Sequence, residues 1–124
     1  MNSMRTTDVL VDTNVLCYST DQRDLEKHDR AREVLRQLRR DDRAVLSPQI
    51  TGEFARSSTR PHRGWLTASE AAGVLREMLP AVRVVSWTRD VPVLAVAGML
   101  RHCWSYWDSQ IGATAIAGGY RLVL

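Results

Sequence analysis

Four short β-like runs, Val9–Val11, Ala44–Leu46, Val82–Ser86 and Arg121–Leu124, alternate along the chain with segments of helical periodicity. That alternation limits the possible folds more than any other feature. Strands joined through helices form right-handed βαβ units, and the resulting parallel sheet is covered by helices on its faces. The expected class is therefore α/β. In such sheets ligands sit at the carboxyl ends of strands, near the point where strand order reverses.

The helical segments carry their own signals. Ala31, Val34, Leu35 and Leu38 form one apolar stripe between Asp24 and Arg40. Ser47-Pro48 sets a capping hydroxyl before a proline at the first helical position, opening a helix expected to end near Ser57. Thr67-Ala68-Ser69-Glu70 is a capping box ahead of Val74, Leu75, Met78 and Leu79, and Pro80 stops that helix. Asp90-Val91-Pro92 begins another helix, running through Leu100. Ser105 caps a last one from about Tyr106 to Ala117, closed by Gly118-Gly119.

Composition bounds the rest. A chain of 124 residues corresponds to one domain. Its 44% hydrophobic and 25% charged residues argue against disorder, collagen and coiled coil. The longest uncharged stretches, Val91–Leu100 and Ser109–Tyr120, fall short of the roughly 20 apolar residues that span a bilayer. No long apolar run precedes a cleavage site at the N-terminus, so a cytoplasmic protein with no membrane partner is expected. Cys17 and Cys103 are too few for a disulfide scaffold and read as reduced, buried thiols. The net charge of +3 favours phosphate only weakly; 16 of the 17 basic residues are arginine, which suits bidentate phosphate contacts but equally fits a codon bias.

Three acids stand where chemistry is expected. Asp12 directly follows the first apolar run, at the rim of the sheet, although an aspartate there also serves as a helix cap. Glu53 lies between Ile50 and Phe54 on the helix after the second run; it is either a solvated helix residue or an acid that needs a cation. Asp108, in Ser105-Tyr106-Trp107-Asp108, fits both a first-turn acid and a ligand. If the three converge, a divalent cation must offset their repulsion. Oxygen donors without nearby Cys or His select Mg²⁺ or Mn²⁺.

Val9–Leu16, Ser47–Phe54 and Ser105–Ile111 together resemble the three ordered motifs of PIN-domain ribonucleases, most closely the VapC-type toxins of bacterial toxin–antitoxin pairs. The resemblance covers nearly the whole chain. It implies a three-layer α/β/α domain with a central, mainly parallel sheet, in which Asp12, Glu53 and Asp108 hold Mg²⁺ or Mn²⁺ and do the catalysis. It implies that Thr13 and Asn14 position the first aspartate through hydrogen bonds. A metal-activated water would cut RNA phosphodiesters, leaving 5′-phosphate and 3′-hydroxyl ends. It also implies a homodimer and a small cognate antitoxin, whose C-terminal segment would pack near Val15, Leu16 and Tyr18. The family usually adds a further acid just after the last strand. The sequence stops at Leu124, before that turn, and reads as a single PIN domain truncated at its C-terminus.

Arg56, Arg60 and Arg63 lie in a segment without acids from Phe54 through Ser69, a candidate phosphate grip in which Trp65 either stacks a base or anchors a solvated loop. Trp87, Trp104 and Trp107 read as core or dimer contacts. His28, His62 and His102 are not expected to act in catalysis. A receiver domain would need a lysine near its last strands, and the only lysine is Lys27; an aspartyl-phosphate hydrolase would need a second acid at position 14, which is asparagine. A PIN fold that binds RNA or a partner without cutting is the remaining alternative.

Overall fold

The computed structural model describes residues 8–123. At its centre lies β1 (Val9–Val11), every residue of which is buried. Three consecutive apolar residues with no polar alternation mark a strand covered on both faces. β1 pairs in parallel with β2 (Ala44–Leu46) on one side, Leu10 opposite Val45, and with β4 (Arg121–Val123) on the other, Leu10 opposite Leu122. β3 (Arg83–Val84) extends the sheet beyond β2, giving the order β3-β2-β1-β4.

Six helices join these strands: α1 (Thr13–Thr20), α2 (Leu25–Arg40), α3 (Pro48–Ser58), α4 (Ala68–Met78), α5 (Asp90–His102) and α6 (Tyr106–Gly118). The steps β1 to β2 and β2 to β3 run in one direction across the sheet, and the step β3 to β4 returns past β1. Right-handed crossovers then set α1–α4 on one face and α5–α6 on the other. The packing agrees, since α1 meets α2 and α3 while α5 and α6 meet each other. Leu10, Leu16, Val45, Leu46, Ile50 and Phe54 form the fully buried centre of the core.

The α/β/α expectation holds, and so do the local signals. Ser47, Thr67 and Ser105 each accept a backbone N–H at their helix starts, Thr67 and Glu70 forming the full capping box. Gly119 ends α6 in the left-handed region at φ 71°, where glycine carries no steric penalty. The third strand is shorter than its apolar run, two residues in place of Val82–Ser86. It is an edge strand with a single neighbour, and a 3-10 turn over Leu79–Ala81 leads directly into it. α3, α5 and α6 each run one or two residues past their expected ends, and Leu124 lies outside the described residues. Among the described residues no helix is long and apolar enough to cross a membrane.

Candidate active site

Strand order reverses between β1 and β4, so the carboxyl end of β1 is the natural ligand edge. Asp12 sits there. It is the N-cap of α1, its Oδ2 accepting the Asn14 N–H at 3.4 Å, and it is 8% exposed. Cap and sheet-edge acid are therefore one residue in one position. Burial raises the Asp12 carboxyl above the ordinary aspartate range; the N–H groups of Asn14 and Thr13 pull it back, and the charges of Glu53 and Asp108 push it further up.

Glu53 comes to this edge from α3, half-buried rather than solvated. Its Oε2 accepts the Thr13 hydroxyl at 2.8 Å and its Oε1 accepts Gln49 Nε2 at 2.9 Å. Asp108 is exposed in the first turn of α6, where its N–H bonds Ser105 Oγ at 3.2 Å. The start of α6 is tied to α3 because Gln49 Nε2 also donates to the Trp107 carbonyl at 2.9 Å, and Gln110 donates to Gln49 Oε1. One glutamine thus links two of the acid-bearing helices.

Thr13 and Asn14 meet Asp12 through their backbone N–H groups. The Thr13 hydroxyl holds Glu53 and the Asn14 side chain is exposed, so among the described residues Asp12 is held by backbone N–H groups. Gln49 was not singled out from the sequence. Its spacing of four residues before Glu53 on one helix face was the available signal.

Glu53 and Asp108 each act electrostatically on Asp12, and no cation is paired with Asp12 among the described residues. Their donor set, carboxylate oxygens with no thiolate or imidazole among them, suits a hard divalent ion. Among the described residues, however, no three His, Cys, Asp or Glu side chains already stand close enough to share one.

The arginine segment divides. Arg56 is exposed in the last turn of α3. Arg60 and Arg63 follow in a tight loop, where Gly64 is required because a Cβ would meet Ser58 O at 2.5 Å. Trp65 anchors that loop to the far end of α1: its Nε1 donates to Thr20 Oγ1 at 2.9 Å, and Arg23 lies 5.2 Å over its ring. An eight-residue helix spans about 12 Å, so this loop sits that far along α1 from Asp12.

Three expectations about other side chains are corrected. Cys103 is exposed, at the left-handed residue that ends α5; Cys17 is half-buried, its thiol pushed up to about 11 by burial. Trp87, Trp104 and Trp107 are 46%, 49% and 59% exposed and are not core residues. Leu16, at 1% exposed, belongs to the core and not to any docking surface. His28 is buried with Nδ1 2.9 Å from the Tyr18 carbonyl, and His102 stacks on Trp104, so neither reaches the acids.

A parallel, three-layer α/β/α domain with Asp12 at its switch point is the class this geometry defines. A PIN-domain family profile matches residues 9–123, and the chain belongs to that family. Among solved structures it is similar to Mycobacterium tuberculosis VapC20, described as a sarcin-ricin loop cleaving toxin, with 22% identity and a TM-score of 0.72 over 91% of this chain and 85% of that one. It is also similar to Rickettsia felis VapBC2 bound to a promoter DNA fragment, with 14% identity and a TM-score of 0.70 over 94% and 85%. DNA-bound VapBC from Salmonella typhimurium matches at 14% identity and a TM-score of 0.66 over 94% and 96%. No curated protein sequence matches the chain significantly.

Proposed function

We propose that the chain is an endoribonuclease toxin of the VapC type, dependent on Mg²⁺ or Mn²⁺ and neutralised by a small antitoxin in the cytoplasm. What supports this reading is Asp12, 8% exposed at the switch point with no cation paired to it among the described residues and acted on by the charges of Glu53 and Asp108. Asp12, Glu53 and Asp108 would hold the ion. When bound, Mg²⁺ or Mn²⁺ supplies a polarised phosphodiester, an activated water and charge compensation on the leaving oxygen.

The protein's own residues prepare for that chemistry. Backbone N–H groups fix Asp12, while Thr13 and Gln49 each hold one oxygen of Glu53, so neither carboxylate must be oriented when RNA arrives. Arg56, three residues beyond Glu53 on α3, is suited to a phosphate near the cut; Arg60 and Arg63 are suited to phosphates farther along the strand. A groove of about 370 Å³ beside Asn14, floored by Val15, Tyr18, Ala31 and Val34, suits the apolar side of an antitoxin segment. Val93, Leu100 and Ile116, each at least 70% exposed, suit a second copy of the chain in a homodimer.

Incubating RNA that includes a sarcin-ricin stem-loop with the protein and Mn²⁺ tests the reading. Cleavage is expected to leave 5′-phosphate and 3′-hydroxyl ends and to fall at least about 100-fold in Asp12→Asn, near the size found when a preorganised catalytic group is removed. Cleavage that survives in Asp12→Asn would reject it. A second reading, a PIN fold that binds RNA or a partner without cutting, is favoured by the absence of a preassembled three-ligand set among the described residues. Calorimetry with no Mn²⁺ binding, together with intact RNA, would select it.

A further inference from the structure

Beside the acids lies a groove that the metal chemistry does not use. Pro48, Gln49, Ser86, Trp87, Trp107 and Gln110 line about 460 Å³, within the roughly 300–1,000 Å³ usual for small-molecule sites. Its walls follow β3, open α3 and open α6, so it faces the same carboxyl edge as Asp12. Gln49 belongs to both places, since the amide that lines the groove donates to Glu53. Gln110 is 1% exposed and donates to Gln49, yet its own Oε1 has no hydrogen-bond partner among the described residues. A buried acceptor left without a donor calls for an explanation.

The lining restricts the ligand. It contains no arginine, lysine or histidine to fix a phosphate, and no carboxylate to fix a cation. It offers two exposed indoles and the unpartnered Gln110 Oε1, the N–H groups of Gln49 being already given to Glu53 and the Trp107 carbonyl. That combination fits a flat, uncharged ring with hydrogen-bonding edges, and unstacked bases of single-stranded RNA are held on aromatic faces in this way. We propose that the groove between Trp87 and Trp107 is a nucleobase pocket, in which one unpaired base of the RNA strand stacks while its edge faces Gln49 and Gln110 and its neighbouring phosphate lies at the acids. The inference rests on the ribonuclease reading and adds where the strand is gripped. Stacking is tolerant of base identity, so the tryptophans supply affinity and Gln110 supplies preference.

The test separates binding from cutting. The probe is a fluorescein-labelled single-stranded oligoribonucleotide, titrated with the full chain in EDTA and followed by anisotropy. Trp87→Ala and Trp107→Ala are each expected to weaken binding about tenfold, the order of one lost base stack, and Trp107→Phe to retain most of it. Trp104→Ala, an equally exposed tryptophan outside the groove, should leave affinity unchanged. Unchanged affinity in Trp87→Ala, an equal loss in Trp104→Ala, or no binding by the unaltered protein would each overturn the pocket. Sedimentation of the same variants covers a protein partner: a loss of affinity that tracks dissociation of a dimer assigns the tryptophans to that interface and overturns the base pocket. Parallel assays in Mn²⁺ tell the two readings apart. Tryptophan-dependent binding without cleavage would sink the nuclease and leave the pocket, and cleavage with tryptophan-independent binding would do the reverse.

Discussion

Asp8 and Asp12 flank the same three-residue strand and live in opposite electrostatic surroundings. Asp8 is fully buried, and Arg83 reaches it at 2.5 Å. Asp12, nearly as buried, faces Glu53 and Asp108 with no cation in reach among the described residues. A buried carboxylate bonded to a guanidinium serves the fold, because the charge-assisted bond offsets the cost of burying the charge. A buried carboxylate kept among like charges works against the fold, and such perturbed acids gather at functional sites. The contrast assigns the amino end of β1 to stability and its carboxyl end to function.

The contrast breaks most visibly at Arg83. Arg83→Met should lower the free energy of unfolding by about 3 kcal/mol in a urea titration, the upper end for a hydrogen bond to a charged group, since its bond to the buried Asp8 carboxylate is lost. A cost under about 1 kcal/mol would mean that the amino end of β1 is not held as described. Next in size is the metal. Mn²⁺ at about 100 times its dissociation constant should stabilise the unaltered chain by about 2.7 kcal/mol and leave Asp12→Asn unmoved. Equal stabilisation of both would place the ion away from Asp12.

A pH titration of the metal-free protein sharpens the same point. Asp12 has its carboxyl raised by burial, with Glu53 and Asp108 adding to it, so the folded chain keeps a proton that the unfolded chain has already released. This contribution to stability is present at low pH and is lost as pH rises through the raised Asp12 value. Asp12→Asn should remove that slope while keeping the cap, because asparagine caps as well as aspartate. Smallest of all, Asp108→Asn should change stability by under about 1 kcal/mol, the worth of a first-turn acid at an exposed helix end. A large thermal loss there would make Asp108 a structural cap before anything else.

What the sequence made legible follows from the range of each interaction. Caps at Ser47, Thr67 and Ser105 bond within three residues, so the helix starts could be read directly. Asp12 and Asp108 had two readings because capping and sheet-edge chemistry ask for the same residue type. In Asp12 the cap and the sheet-edge position coincide. The partners of Glu53 were less legible: Thr13 reaches it across 40 residues of sequence, and no local pattern reports such a pairing. Asp8 and Arg83 are 75 residues apart and were invisible for the same reason. For Trp87, Trp104 and Trp107, read as core or dimer contacts, exposure removes only the core half of that reading, because burial depends on an opposing surface that no local pattern reports.

The pairing of β1 with β4 also sets a clock. Val9–Val11 meets Arg121–Val123, so the most distant strands of the described chain lie side by side. Asp108 rides on α6, the element that delivers β4 to that position. At about 5–20 residues per second of synthesis, the stretch from Asp12 to Asp108 takes roughly 5–20 s to emerge. Throughout that interval a nascent chain carries Asp12 and then Glu53 without Asp108, and without the strand that seats α6. The acid-bearing edge of the sheet is therefore the last part of the fold to be completed as the chain is made.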